Sequence, residues 1–164
     1  MADDDTVRVT DDDTRVLRLP GVLLGIGLGG FVDGIVLHQI LQWHHLVSNV
    51  PAYPPITVGG LRVNTLWDGL FHAFTWTAVA IGLVVLWSRV TRDRGRLWRS
   101  APLWGWFLVG WGGFNLVEGI VDHQILRIHH VRPGPNQLAW DLGFLALGAV
   151  LALAGWRLTR ASRP

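Results

Sequence analysis

The sequence predicts an all-α membrane protein, four transmembrane helices built as two parallel-related helical hairpin repeats. Three observations predict it. Half of the 164 residues are hydrophobic, close to what four spans of about 20 residues consume. Charged residues make up only 16%, and all fourteen basic side chains are Arg, which cluster between apolar runs. One motif occurs twice, 85 positions apart. Cysteine is absent, which excludes disulfide scaffolds, iron–sulfur clusters and thiolate zinc sites. The single methionine is Met1, so thioether copper sites are excluded too.

Residues 1–18 carry Asp3 to Asp5 and Asp11 to Asp13 and read as a disordered acidic cytoplasmic tail. The transmembrane domain follows over 19–158, with spans at about 20–43, 64–88, 102–127 and 137–157. A short basic tail, 159–164, closes the chain. The linker 47–63 holds Pro51, Pro54 and Pro55 and reads as an ordered loop, with Asn64 as the cap of the helix after it. The linker 89–100 holds Arg89, Arg92, Arg94, Arg96 and Arg99. The positive-inside rule puts it and both termini in the cytoplasm, with the loops after the first and third spans facing outward. Trp43, Trp67 and Trp140 then fall in the outer aromatic belt, and Trp87, Trp98, Trp104 and Trp156 in the inner one. The basic balance therefore reads as topology, with the lipid bilayer as partner and no nucleic acid. A homo-oligomer or a respiratory-chain partner is compatible with this reading.

The repeated motif runs from Asp33-Gly34-Ile35-Val36-Leu37-His38-Gln39 to His44-His45, and from Glu118-Gly119-Ile120-Val121-Asp122-His123-Gln124 to His129-His130. Most positions are identical, and a carboxylate opens both copies. Trp67-Asp68 has a weaker echo in Trp140-Asp141. A two-helix unit returns to its starting side, so the copies run parallel about an axis along the membrane normal. Both are glycine-rich before the carboxylate. Gly25/Gly29 and Gly30/Gly34 have the small-xxx-small spacing that lets the first and third spans approach closely.

Five acids lie inside the apolar runs: Asp33, Asp68, Glu118, Asp122 and Asp141. At a rise of about 1.5 Å per residue they share one layer of the outer half with His38, His72 and His123. His44, His45, His129 and His130 stand at its mouth as candidate outer ligands. An acid at the bilayer centre costs about 2.5–3.5 kcal/mol, so these groups must face inward and be neutralised. Carboxylates and imidazoles converging from facing helices are how bundles hold transition metals. The eight layer residues are therefore candidate ligands of one or two ions, Fe or Mn before Zn or Cu, with a redox role in view. Whether the chain is an enzyme stays open. The alternatives are a proton or ion relay through the same layer, haem held between His38 and His123, an assembly or scaffold protein for respiratory complexes, or a structural network. At about 100° per residue, Asp33 shares a helical face with His44 but stands about 140° from His38. Glu118 and Asp122 share a face, as do Asp68 and His72.

These motifs, with Asn64-Thr65-Leu66-Trp67-Asp68-Gly69-Leu70-Phe71-His72, resemble an uncharacterised family of bacterial four-helix predicted membrane proteins, a domain of unknown function. The resemblance covers about residues 20–157. It implies a bacterial inner-membrane location and no particular activity.

Overall fold

A computed structural model describes residues 12–161. Helix α1 spans Asp12–Val16 and α2 spans Arg18–Val32, which continues as a π-helix over Asp33–Ile40. Helix α3 spans Val58–Arg92. Helix α4, Ser100–Glu118, also continues as a π-helix, Gly119–Ile125, and α5 spans Gln137–Ala161. No strand occurs among the described residues.

Among these residues, three helical runs are long and apolar enough to cross a membrane: Arg18–Ile40, Val58–Arg92 and Gln137–Ala161. Helix α4 is not one of them. Its run is diluted by Trp104, Trp106, Trp111, Asn115 and Glu118. The distribution of side chains is that of a protein in lipid. Large apolar groups such as Phe74, Val84, Trp87, Val150 and Leu153 are exposed, while Asp33, His38, Asn64, Asp68, Asn115 and Asp141 are buried. A fold in water would reverse both sets.

Helix α2 packs between α3 and α4, and α4 packs between α2 and α5. Glycine makes the central seam possible. A Cβ added to Gly25 would overlap the Phe107 carbonyl, and one added to Gly110 would overlap the Val22 carbonyl. Gly105 and Gly155 bring α4 equally close to α5. The glycine seam expected between the first and third spans is thus carried by Gly25 and Gly110. Gly30 and Gly34 turn the other way, toward Thr75 and His72 of α3.

Two boundaries differ from the sequence reading. Helix α3 begins at Val58, because the Thr57 hydroxyl accepts the Gly60 amide at 3.0 Å and caps the first turn. Asn64 is therefore no cap; it lies inside the helix and donates to the Gly60 and Tyr53 carbonyls, each at 2.9 Å. At the start of the described residues, Asp12–Val16 are helical and a turn at Leu17 joins them to α2. Asp13 is buried against Arg96, and the Trp106 indole donates to the Thr14 carbonyl at 2.7 Å. These contacts supply the partners that an acidic segment in water would lack. The rest of the expected tail, with Asp3 to Asp5 and Asp11, lies outside the described residues, as do 162–164.

Candidate metal centre

The site begins with a change of helical pitch. After Val32 and again after Glu118, the backbone bonds lengthen from i→i+4 to i→i+5. Side chains five apart, which an α-helix points in different directions, become neighbours. This brings His38 onto Asp33: His38 Nε2 stands 3.2 Å from Asp33 Oδ2. The 140° separation expected from an α-helical wheel does not apply, because the segment is not α-helical.

Each π-helix ends in a tight reversal. Leu41 N–H donates to the Val36 carbonyl at 2.8 Å and Trp43 N–H to the Leu37 carbonyl at 3.0 Å. Leu126 and Ile128 do the same to Val121 and Asp122, at 2.7 and 3.1 Å. Between these bonds sit Gln42 and Arg127, with φ of 50° and 52°. These left-handed residues fold the chain back and carry His44 and His129 into the protein. Neither histidine remains at a surface mouth: His44 is 3% exposed and His129 0%.

Two buried triads result. Asp33, His38 and His44 each offer one ligand atom within 4.8 Å of the others, and so do Glu118, His123 and His129. The triads touch. The His44 and His129 rings stack with centroids 4.8 Å apart, and His123 packs edge-on against His129 at 4.8 Å.

Three of the four rings are fixed from behind by a hydrogen bond at Nδ1. His44 Nδ1 donates to the Val131 carbonyl at 2.8 Å, and His129 Nδ1 to the Leu46 carbonyl at 2.9 Å. His38 Nδ1 bonds Asp68 Oδ1 at 2.9 Å. His123 Nδ1 faces Asp141 at 3.5 Å, beyond a strong hydrogen bond. Asp68 also accepts from His45 Nδ1 at 2.6 Å and from Leu46 N at 2.9 Å. Asp141 accepts from His130 Nδ1 at 2.7 Å and from Val131 N at 3.0 Å. Asp68 and Asp141 are therefore supports behind the rings, not members of either triad.

The atoms that face inward face one another, His38 Nε2 toward Asp33 at 3.2 Å and His129 Nε2 toward Glu118 at 3.6 Å, without forming hydrogen bonds. Nε2 of His38, His44, His123 and His129, both Glu118 carboxylate oxygens and Asp33 Oδ2 are buried without a hydrogen bond. Buried polar atoms in folded proteins are nearly always bonded, so a convergent set of orphans calls for an explanation. Burial, with the neighbouring His38 and His123, lowers His44 to a pKa of about 4. Burial and the adjacent His44 hold His129 well below its ordinary value. Both imidazoles are neutral at pH 7, with Nδ1 protonated and the Nε2 lone pair free. That is the state in which histidine ligates a metal.

The remaining candidates lie apart. His72 Nδ1 bonds the Asp68 carbonyl at 2.7 Å and its ring lies against Gly34. Asp122 is half-buried in a cleft of α4 that Glu118 also lines. Of the eight layer residues, Asp33, His38, Glu118 and His123 enter the triads. Reading His44 and His129 as mouth residues understated them. Their signal was present as the spacing acid-x4-His-x5-His, which occurs at 33, 38 and 44 and again at 118, 123 and 129.

No curated protein and no solved structure matches the chain. Residues 20–162 match the model of a family described as predicted membrane protein, DUF2243. The chain belongs to that family of membrane proteins, whose function is unknown.

Proposed function

We propose that the chain is a membrane metalloprotein holding two transition-metal ions, one in each triad of two histidines and a carboxylate. The observation that carries this reading is the set of inward-facing buried acceptor atoms, in two triads at the same spacing. Two lone pairs 3.2 Å apart, as at His38 and Asp33, repel unless a proton or a metal ion lies between them, and the second ring of each triad leaves room for the ion. Ligands about 2.0–2.2 Å from one ion lie roughly 3–3.5 Å from each other. Charge supports the same reading. Four buried carboxylates, Asp33, Asp68, Glu118 and Asp141, carry four negative charges when ionised, which two divalent ions would balance. Two imidazoles with one carboxylate suit iron best, then manganese, with zinc and copper behind. A role in electron transfer or oxidation follows for iron or manganese. Haem suits the site poorly, since the rings of His44 and His129 pack between His38 and His123.

The same proposal includes the architecture around the site. The helix α4 run is the fourth span, the two hairpins are copies of one unit, and both termini face the cytoplasm of a bacterial inner membrane. The exchange of bonds His44 to Val131 and His129 to Leu46 supports the two-copy reading, since each partner lies 85 positions from its counterpart.

The test is elemental analysis with a visible spectrum on gently purified protein. Two ions of Fe or Mn per chain are expected, with no haem Soret band. The absence of stoichiometric Fe, Mn, Zn and Cu would overturn the reading. Liposome proton flux lost in Glu118→Gln, from metal-free protein, would favour a relay instead.

A further inference from the structure

Each triad has its carboxylate in the lining of an apolar cleft. The first cleft, about 320 Å³ between α2, α4 and α5, reaches Asp33. Tryptophans narrow it: Trp43, Trp111 and Trp140 line its wall, and Arg132 stacks over Trp43 and Trp140 at 5.0 and 5.7 Å. The second cleft, about 490 Å³ between α2, α3 and α4, reaches Glu118. It differs in two ways. Its walls are Phe71, Phe74 and Phe114, with Phe71 and Phe114 stacked at 5.9 Å. It also holds a second carboxylate, Asp122, at the position where the first cleft has Leu37. The Asp122 carboxylate makes no hydrogen bond among the described residues.

We infer that the second cleft is the binding site of a lipid-soluble hydroquinone with an apolar tail. This rests on the metal reading, since the cleft is the approach to the Glu118 triad. The chemistry selects the ligand. A carboxylate in an apolar wall is stabilised by a hydrogen-bond donor, which the acyl chains of the bilayer do not supply. A phospholipid acyl chain carries no donor. A long-chain alcohol carries one donor but no ring for the three phenylalanines. A hydroquinone presents hydroxyl donors to Asp122 and Glu118, a flat ring to the aromatic walls, and a tail to the lipid. The cavity lies within the usual range of small-molecule sites, about 300–1,000 Å³.

The test is equilibrium binding of a decyl-substituted hydroquinone to the protein in nanodiscs under anoxia, with metal content measured on the same sample. One saturable site per chain is expected, with decanol and decylbenzene each binding at least about tenfold more weakly. Val117→Trp, which fills the cleft from a lipid-exposed position, and Asp122→Leu should each weaken binding about tenfold or more while metal content stays at the wild-type level. Metal-loaded protein that binds no hydroquinone, or binds decanol equally well, overturns this inference and leaves the metal reading intact. So does binding indifferent to both variants. Metal-free protein that still binds hydroquinone through Asp122 supports the cleft and overturns the metal reading alone. Absence of both metal and binding overturns both.

Discussion

His44 and His129 lie face to face, ring planes 6° apart and centroids 4.8 Å apart, and each donates Nδ1–H to a carbonyl two residues beyond the other histidine. His44 holds Val131 and His129 holds Leu46, so each reversal loop is tied to the opposite one. Two charged imidazoles would not stack this closely in a dry interior, and both are held neutral by burial. The pair thus performs two tasks at once. It locks the loops together and turns two Nε2 lone pairs toward the carboxylates.

Replacing either histidine separates those tasks. His44→Ala should remove a ligand from the Asp33 triad and release the Val131 carbonyl. Metal content is expected to fall from two ions per chain toward one, and His129→Ala should do the same for the Glu118 triad. The double variant should retain none. Elemental analysis of each purified variant decides it, and full metal content in the double variant would rule out these triads as the ligands.

Asp68 offers a subtler test because it acts through His38. Its carboxylate accepts from two imidazoles and one backbone amide. Asn at this position keeps the shape but places an NH2 donor where an acceptor is needed. Groups that hold a ligating histidine from behind contribute about 10–100-fold to metal affinity. Asp68→Asn should therefore weaken binding by that factor in chelator competition, with helicity by circular dichroism unchanged. Unaltered affinity would reduce Asp68 to a merely structural anchor.

Much of this was legible in the sequence. The apolar runs, the arginine-rich linker and the glycines at 25 and 110 suffice for the helices and for the α2–α4 seam. Asp33, Glu118, His38 and His123 stand out because acids and imidazoles are costly in lipid. What escaped the sequence has one physical origin. A helical wheel assumes 3.6 residues per turn, and the segments after Val32 and Glu118 do not obey it. Their wider pitch joins Asp33 to His38, and the left-handed turns at Gln42 and Arg127 bring in His44 and His129. Nothing in the side-chain pattern of these segments announces a π-helix. Asp68 and Asp141 were legible as buried acids but not as supports, because a carboxylate behind a histidine and one beside a metal look alike in one dimension.

Gln42 gives the backbone its own test. A non-glycine residue at φ 50° costs about 1–2 kcal/mol, and a β-branched one costs more. Gln42→Gly should raise the melting temperature or leave it unchanged, with metal retained. Gln42→Val should lower it and loosen the metal, because the turn that delivers His44 no longer closes. Equal behaviour of the two variants would show that the turn does not position the site.

Metal removal tests the energetic logic of the whole centre. Stripping the ions leaves four imidazole nitrogens and three carboxylate oxygens of Asp33 and Glu118 buried without hydrogen bonds. Apo-protein should therefore be markedly less stable. A ligand at about a thousand times its Kd stabilises a fold by about 4 kcal/mol. A chelator should lower the melting temperature in detergent by several degrees, and Fe(II) or Mn(II) should restore it. Ca(II), which favours oxygen-only sites, should not. The shift should vanish in the His44→Ala/His129→Ala double variant, which has lost the sites. If the chain is instead a self-sufficient hydrogen-bonded network, chelation leaves the melting curve where it was, and the double variant alone is destabilised.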